Sequence, residues 1–179
     1  GEESLDFQEV TWRGILAYDI SDEVSTYVNV SKGFKSGGFV QRLTNPVTRI
    51  GDDQLPTFEP EQVTSYEAGL KAEIPDYGLR FALAAFYSDY TNIQVAANPP
   101  GQFNTITANA AEASIKGIEV EFTWIPLPAL FIQGAAGYQD AQYDKIDENS
   151  GVGVTLDDDL IRTPEFSSNL GVSYRIDLG

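Results

Sequence analysis

Along residues 166–176 the side chains alternate in character almost without exception. Phe166, Ser168, Leu170, Val172, Tyr174 and Ile176 form one set, and Ser167, Asn169, Gly171, Ser173 and Arg175 form the other. A period of two is the signature of a strand with one apolar and one polar face. The split recurs where Ile118, Val120, Phe122 and Trp124 oppose Gly117, Glu119, Glu121 and Thr123. It recurs again where Tyr66, Ala68, Leu70, Ala72 and Ile74 oppose Ser65, Glu67, Gly69, Lys71 and Glu73. A fourth stretch has Leu79, Phe81, Leu83, Ala85 and Tyr87 as its apolar set, with a mixed opposite face of Arg80, Ala82, Ala84, Phe86 and Ser88.

Read along the whole chain, this pattern predicts seven strands, at 9–19, 24–34, 61–74, 79–95, 106–125, 129–143 and 165–176. Several exceed the usual globular length of about 5 to 6 residues. The connections alternate in size. Ser21–Glu23, Pro75–Gly78 and Pro126–Pro128 are tight turns rich in residues that preset or tolerate turn dihedrals, whereas 35–60, 96–105 and 144–164 are long. Short turns at one end and long loops at the other describe an antiparallel up-and-down meander, the pattern of outer-membrane barrels. The expected fold class is therefore all-β.

The bulk numbers remove other readings. Among 179 residues, 11 Lys and Arg stand against 27 Asp and Glu, a net charge of -16, which argues against nucleic acid as a partner. With no His and no Cys, the Ser-His-Asp triad, HExxH zinc sites, thiolate metal sites and cysteine nucleophiles are all excluded. No catalytic residue is expected, no enzyme activity and no cofactor. No run approaches the roughly 18 apolar residues of a membrane helix, so any membrane crossing would use strands. The absence of Met and of a signal-like opening is expected to mean that the natural start lies outside this chain.

Alternation alone fits a lipid-facing wall or a strand of a soluble all-β sandwich, a lectin-like binding module. The aromatics shift the balance toward lipid. Orienting each strand by its short turn puts Tyr18, Trp124 and Tyr174 at the short-turn end, and Phe34, Tyr66, Tyr87, Tyr138 and Phe166 at the long-loop end. Tyr66 to Ile74, Leu79 to Tyr87 and Phe166 to Tyr174 then each span about 20 Å along the membrane normal, close to the apolar band of about 25 Å between aromatic girdles. Lys32 and Lys116 fall on the apolar face at its long-loop end, where a long stem reaches toward headgroup anions, including those of lipopolysaccharide, or simply decorates the rim.

Three stretches form a recognisable set: YVNVSKGFKSGGF, then FEPEQVTSYEAGLKAEI, then SIKGIEVEFTW. In that order and with this periodicity the chain resembles the barrel of TonB-dependent outer-membrane receptors, from about Val10 to Ile176. The resemblance implies a 22-stranded transmembrane β-barrel of a Gram-negative bacterium with a separate N-terminal plug domain. It implies uptake of a scarce nutrient (an iron-siderophore complex first, cobalamin or a glycan otherwise) energised through the TonB complex. The chain departs from the family pattern in lacking a plug, a TonB-contacting segment and a closing aromatic after RIDLG, so it is expected to be a segment of the C-terminal half of the barrel. Isolated from its parent, it is expected to self-associate through unpaired edges.

Candidate sites follow from the same orientation. Arg13, Glu67, Lys71, Glu73, Arg80, Glu119, Glu121 and Arg175 are expected to face the lumen, pairing with one another, with the plug or with water. In the long loops, Lys35, Phe39, Arg42, Arg49 and Phe103 are the residues that would meet an anionic or aromatic ligand. Gly37 and Gly38 are expected to release the second strand into its loop. No metal site is expected, beyond a weak calcium reading of Asp157, Asp158 and Asp159, whose spacing does not follow the EF-hand loop.

Overall fold

A computed structural model describes residues 4–40, 57–97, 106–147, 150 and 153–176. Among the described residues nine strands run in chain order: β1 (Trp12–Asp19), β2 (Val24–Lys35), β3 (Gly38–Phe39), β4 (Thr57–Phe58), β5 (Glu61–Ile74), β6 (Leu79–Ala97), β7 (Ile106–Leu127), β8 (Leu130–Ile146) and β9 (Phe166–Tyr174). The seven long ones form a single sheet in the order β1-β2-β5-β6-β7-β8-β9, and every neighbouring pair is antiparallel. The meander read from the hydrophobic pattern is the observed topology.

The short turns are held as their residues dictate. After β5 a 3-10 turn, Pro75–Tyr77, ends at Gly78 in the left-handed region (φ 59), which returns its N–H to the Pro75 carbonyl at 2.9 Å. A side chain at Gly78 would also meet the Ile125 carbonyl oxygen at 2.5 Å, so glycine is required there on two counts. The β1–β2 turn closes through Ile20 N–H to Val24 O at 2.8 Å.

Several boundaries differ from expectation: β6 runs to Ala97 and β8 to Ile146, past the expected 95 and 143. β1 begins at Trp12 rather than Glu9. The β7–β8 turn is not Pro126–Pro128: β7 continues to Leu127 and the reversal falls at Pro128–Ala129. Pro126 is accommodated because the register slips between Trp124 and Leu127, where no ladder donor is demanded of it. β9 ends at Tyr174, and Arg175 adds one further backbone bond, its N–H donating to Ala129 O at 2.9 Å. The long connection after β2 also contains structure, the two-residue ladder β3–β4.

One layer of sheet cannot enclose a core, and the burial pattern follows from that. The large apolar residues stay exposed, Tyr66 at 49% and Ile118 at 55% among them. Val40, Ala110, Ala111, Ala113 and Ser114 are covered at the long-loop end, and Asn29 and Ala72 further down the sheet. A sandwich would require a second sheet over one face, and the described residues contain none of comparable size.

Candidate functional site

Residues opposite each other in a ladder share a face, so the register assigns every strand at once. One face carries Trp12, Leu16 and Tyr18 of β1, Val28 and Phe34 of β2, Tyr66 and Leu70 of β5, Leu83 and Tyr87 of β6, Ile118 and Trp124 of β7, Tyr138 of β8, and Phe166 and Tyr174 of β9. The opposite face carries Arg13, Glu67, Lys71, Glu73, Arg80, Glu119 and Glu121.

Apart from Trp12, which is level with Thr64, the aromatics at the two ends of the apolar face form two lines that slope across the sheet. In the upper line Phe34 lies level with Gln62, Tyr87 level with Tyr66, and Tyr138 and Phe166 level with Ile118, Ala85 and Ala68. From 62 to 68 along β5 is six residues, gained over the five strand-to-strand steps from β2 to β9. In the lower line Tyr18 is level with Leu70 and Trp124 with Ile74, four residues over the four steps from β1 to β7. Both lines therefore drift by about one residue per strand. With a rise near 3.3 Å and a strand spacing near 4.8 Å, strands tilt about 35° to the plane normal that both lines share. That is the tilt of transmembrane barrel strands.

The polar face is the concave one and bounds an open cavity of about 1110 Å³, lined among others by Lys71, Glu73, Arg80, Glu121, Thr123 and Asn169. The cations find local partners of three kinds. Arg80 Nη2 lies 2.6 Å from Glu73 Oε1, Arg13 Nε donates to Asn29 Oδ1 at 3.0 Å, and Lys71 Nζ sits 5.5 Å from the Tyr27 ring centroid. The Tyr27 hydroxyl bonds the Glu67 carboxylate, and its ring occupies the space that a side chain at Gly69 would need. Glu119 and Glu121 instead face small partners, Ala84 and Ala82 on β6 and Gly137 and Ala135 on β8. This wall offers interleaved charges and open acidic positions.

At the long-loop end the β2–β5 ladder stops at Lys35↔Glu61 and resumes as β3–β4 at Gly38↔Phe58. Each of these pairs sums to the same residue-number total, so β3–β4 continues one hairpin in unbroken register. The gap opens at Pro60, which has no N–H to give. Side chains from β6 and β7 occupy the gap. Gln94 Nε2 donates to Ser36 O at 2.9 Å, Glu59 O at 3.1 Å and, more weakly, Lys35 O at 3.4 Å. Asn109 grips the Glu59 peptide from both sides, accepting its N–H at 2.6 Å and donating to its carbonyl at 2.9 Å. A side chain at Gly37 would strike the Phe58 carbonyl and the Phe7 ring. The glycine run thus permits a close backbone crossing.

Of the loop residues expected to meet a ligand, Lys35 and Phe39 lie on one arm of this hairpin, while Arg42, Arg49 and Phe103 lie outside the described residues. Lys116 pairs with Asp140 at 3.0 Å at the upper edge of the apolar face. Asp157, Asp158 and Asp159 sit in a turn where Asp158 Oδ2 accepts from Thr155 N–H at 2.7 Å and Thr155 Oγ1 at 2.9 Å. Those two bonds, the backbone one foremost, hold the Asp158 carboxyl below the usual carboxylate range. Among the described residues no three acidic groups converge as metal ligands. Sequence reasoning missed Trp12, Tyr27, Asn29, Gln94 and Asn109. Trp12 carried an aromatic signal, but the amides carried none without the register.

A sheet with sloping aromatic lines on its apolar side and charges on its concave side is a wall of a transmembrane β-barrel. Residues 2–179 match the family model described as TonB dependent receptor-like, beta-barrel. The chain is 33% identical over 160 residues to the metal-pseudopaline receptor CntO of Pseudomonas aeruginosa, covering 88% of this chain and 19% of that protein. It is 31% identical over 170 residues to the vitamin B12 transporter BtuB of Photobacterium profundum, covering 92% of this chain and 24% of that one. The ferric yersiniabactin uptake receptor FyuA of Yersinia pestis superposes with a TM-score of 0.72 at 19% identity, covering 92% of this chain and 23% of FyuA. This chain belongs to the TonB-dependent receptor β-barrel family, receptors of the Gram-negative outer membrane. It spans about a fifth to a quarter of the length of these relatives.

Proposed function

We propose that this chain is one wall of a closed barrel of about 22 strands that imports a scarce nutrient. Its apolar face meets outer-membrane lipid, with lipopolysaccharide at the upper rim, and its charged face lines a lumen filled by a plug domain of the parent receptor. Transport draws on the TonB complex, and the wall itself catalyses nothing. The observation that carries this reading is the common drift of the two aromatic lines, which a lipid boundary imposes and a protein core would not. An iron-siderophore complex is the preferred cargo, because receptors for metal-pseudopaline and for ferrioxamine B are among the similar proteins. Cobalamin is the second cargo, on the similarity to a vitamin B12 transporter; a glycan is the third. Lys35 and Phe39, with Arg42, Arg49 and Phe103, are the proposed ligand contacts.

The test is uptake by cells producing the full-length receptor, with and without a functional TonB. Iron-55 ferrioxamine B and cobalt-57 cobalamin serve as probes, with a labelled oligosaccharide as the third. TonB-dependent accumulation of an iron chelate is the expected result. Accumulation of cobalamin or oligosaccharide alone would replace the substrate class, and accumulation that ignores TonB would overturn the transport mechanism.

A further inference from the structure

The interrupted hairpin at the long-loop end points to a role for two amides, on β6 and β7, whose side chains bond its backbone. We infer that Gln94 and Asn109 are positioning residues: they hold the Lys35–Phe39 ribbon rigid above the barrel rim, and through it set the affinity of the receptor for its cargo. The inference rests on the transport reading above.

Pro60 breaks the ladder where β2 and β5 would otherwise carry their pairing outward. The break orphans backbone groups of Lys35, Ser36 and Glu59, and orphaned groups at a rim either hydrate and loosen the chain or find protein partners. Here they find partners built for them. Gln94 and Asn109 are directly opposed on β6 and β7. Register shifts lie between Tyr90 and Ile93 and between Ile93 and Gln94, and Asn92 adopts a left-handed φ of 55. Such bulges re-aim side chains, and Asn tolerates that conformation. Asn109 also secures the bulge, donating to the Asn92 carbonyl at 2.8 Å, while Gln94 N–H donates to Glu61 Oε2 at 2.9 Å. The crossing beneath is filled: Ala110, Ala111, Ala113 and Val40 are buried, Ala113 completely. The two amides thus replace the missing rungs and make β2, β5, β6 and β7 one rigid body up to Phe39. Without them, the two rungs of β3–β4 would have to hold the ribbon alone.

The chemistry distinguishes variants by donor capacity. Gln94→Leu keeps much of the volume but donates nothing; Gln94→Lys keeps an ammonium whose three donors reach the same carbonyls. The full-length receptor in lipid would be followed by hydrogen exchange, and uptake kinetics measured in cells with the iron-55 and cobalt-57 probes. Gln94→Leu and Asn109→Leu are expected to speed exchange in peptides covering 34–40 and 57–62 by about tenfold, with β7 and β8 below the rim unchanged. They should raise the apparent KM several-fold with Vmax within about twofold, and Gln94→Lys should restore both. Unchanged exchange in the Leu variants would overturn the clamp. Faster exchange with KM unmoved would overturn its role in affinity. If neither probe is carried by the unaltered receptor, the cargo assignment fails and exchange alone decides the clamp.

Discussion

Leu83 offers the sharpest test of which face meets lipid. It lies four residues from Leu79 and four from Tyr87, about 11 Å from either aromatic line at a tilt near 35°, which is the middle of the apolar band. Its side chain is 46% exposed, so about half of it is left for lipid to cover. Arginine at a barrel midplane costs about 2–4 kcal/mol. Losing the lipid-covered part of leucine adds about 1 kcal/mol. Leu83→Arg should therefore destabilise the full-length barrel by roughly 3–5 kcal/mol, two to nearly four orders of magnitude in the folding equilibrium. Ala84→Arg, one residue away, faces Glu119 across the β6–β7 ladder and should cost less than about 1 kcal/mol. Thr64→Arg, two residues outside Tyr66 on the apolar face, belongs near the headgroups and should also cost about 0–1 kcal/mol. The assay is urea unfolding of the receptor in lipid vesicles, comparing midpoints at constant slope. Equal tolerance of Leu83→Arg and Ala84→Arg, or a larger cost at Ala84, would refute the assignment of faces and with it the membrane reading.

Gly69 and Gly14 should respond differently to the same added methyl. At Gly69 it collides with the Tyr27 ring and should cost about 1–3 kcal/mol in the same unfolding assay, whereas at Gly14 nothing lies within 4 Å and the change should stay within about 0.5 kcal/mol. Arg80 and Glu73 are both more than half exposed, so a double-mutant cycle should return a coupling below about 1 kcal/mol despite their 2.6 Å separation; a larger value would mean that the pair is shielded from water. The Asp158 carboxyl has a folded pKa below its unfolded one. Its contribution is present above the unfolded value and is lost as pH falls through the folded value. Thr155→Val removes the hydroxyl and leaves the backbone donor, so carbon-13 titration should show the Asp158 pKa rising toward the ordinary range without reaching it, and an unmoved value would refute the hydroxyl's part.

The fold was legible because each strand had to state its two faces in residues of opposite character. Tyr66 to Ile74 and Phe166 to Tyr174 could be read singly, with no knowledge of their neighbours. Where reading failed, a local rule was outweighed by pairing. Pro126 looked like the start of a turn, but a register slip beside Trp124 let it remain in β7. The two amides were hidden more deeply. Gln94 and Asn109 matter because Pro60, more than thirty positions before Gln94, removes a donor from a ladder they do not belong to.

The slope of the aromatic lines marks the same boundary between what a strand says and what a sheet says. Each strand announces its own aromatic ends, but the offset between neighbours exists only once Tyr18 is set against Thr26, Leu70 against Leu83, and Trp124 against Leu79. If the strands stood upright in the membrane, belts of constant height would follow the ladder rows. They cross the rows instead, at about one residue per strand and with the same sense at both edges. A protein core has no reason to keep two edges parallel across five or six strands, because each core position answers only to its immediate neighbours. A pair of flat interfaces does, because every strand must enter and leave the same slab. The stagger therefore ties aromatic placement, strand tilt and the flatness of the bilayer into one geometric constraint, which any lipid-facing substitution in the wall has to respect.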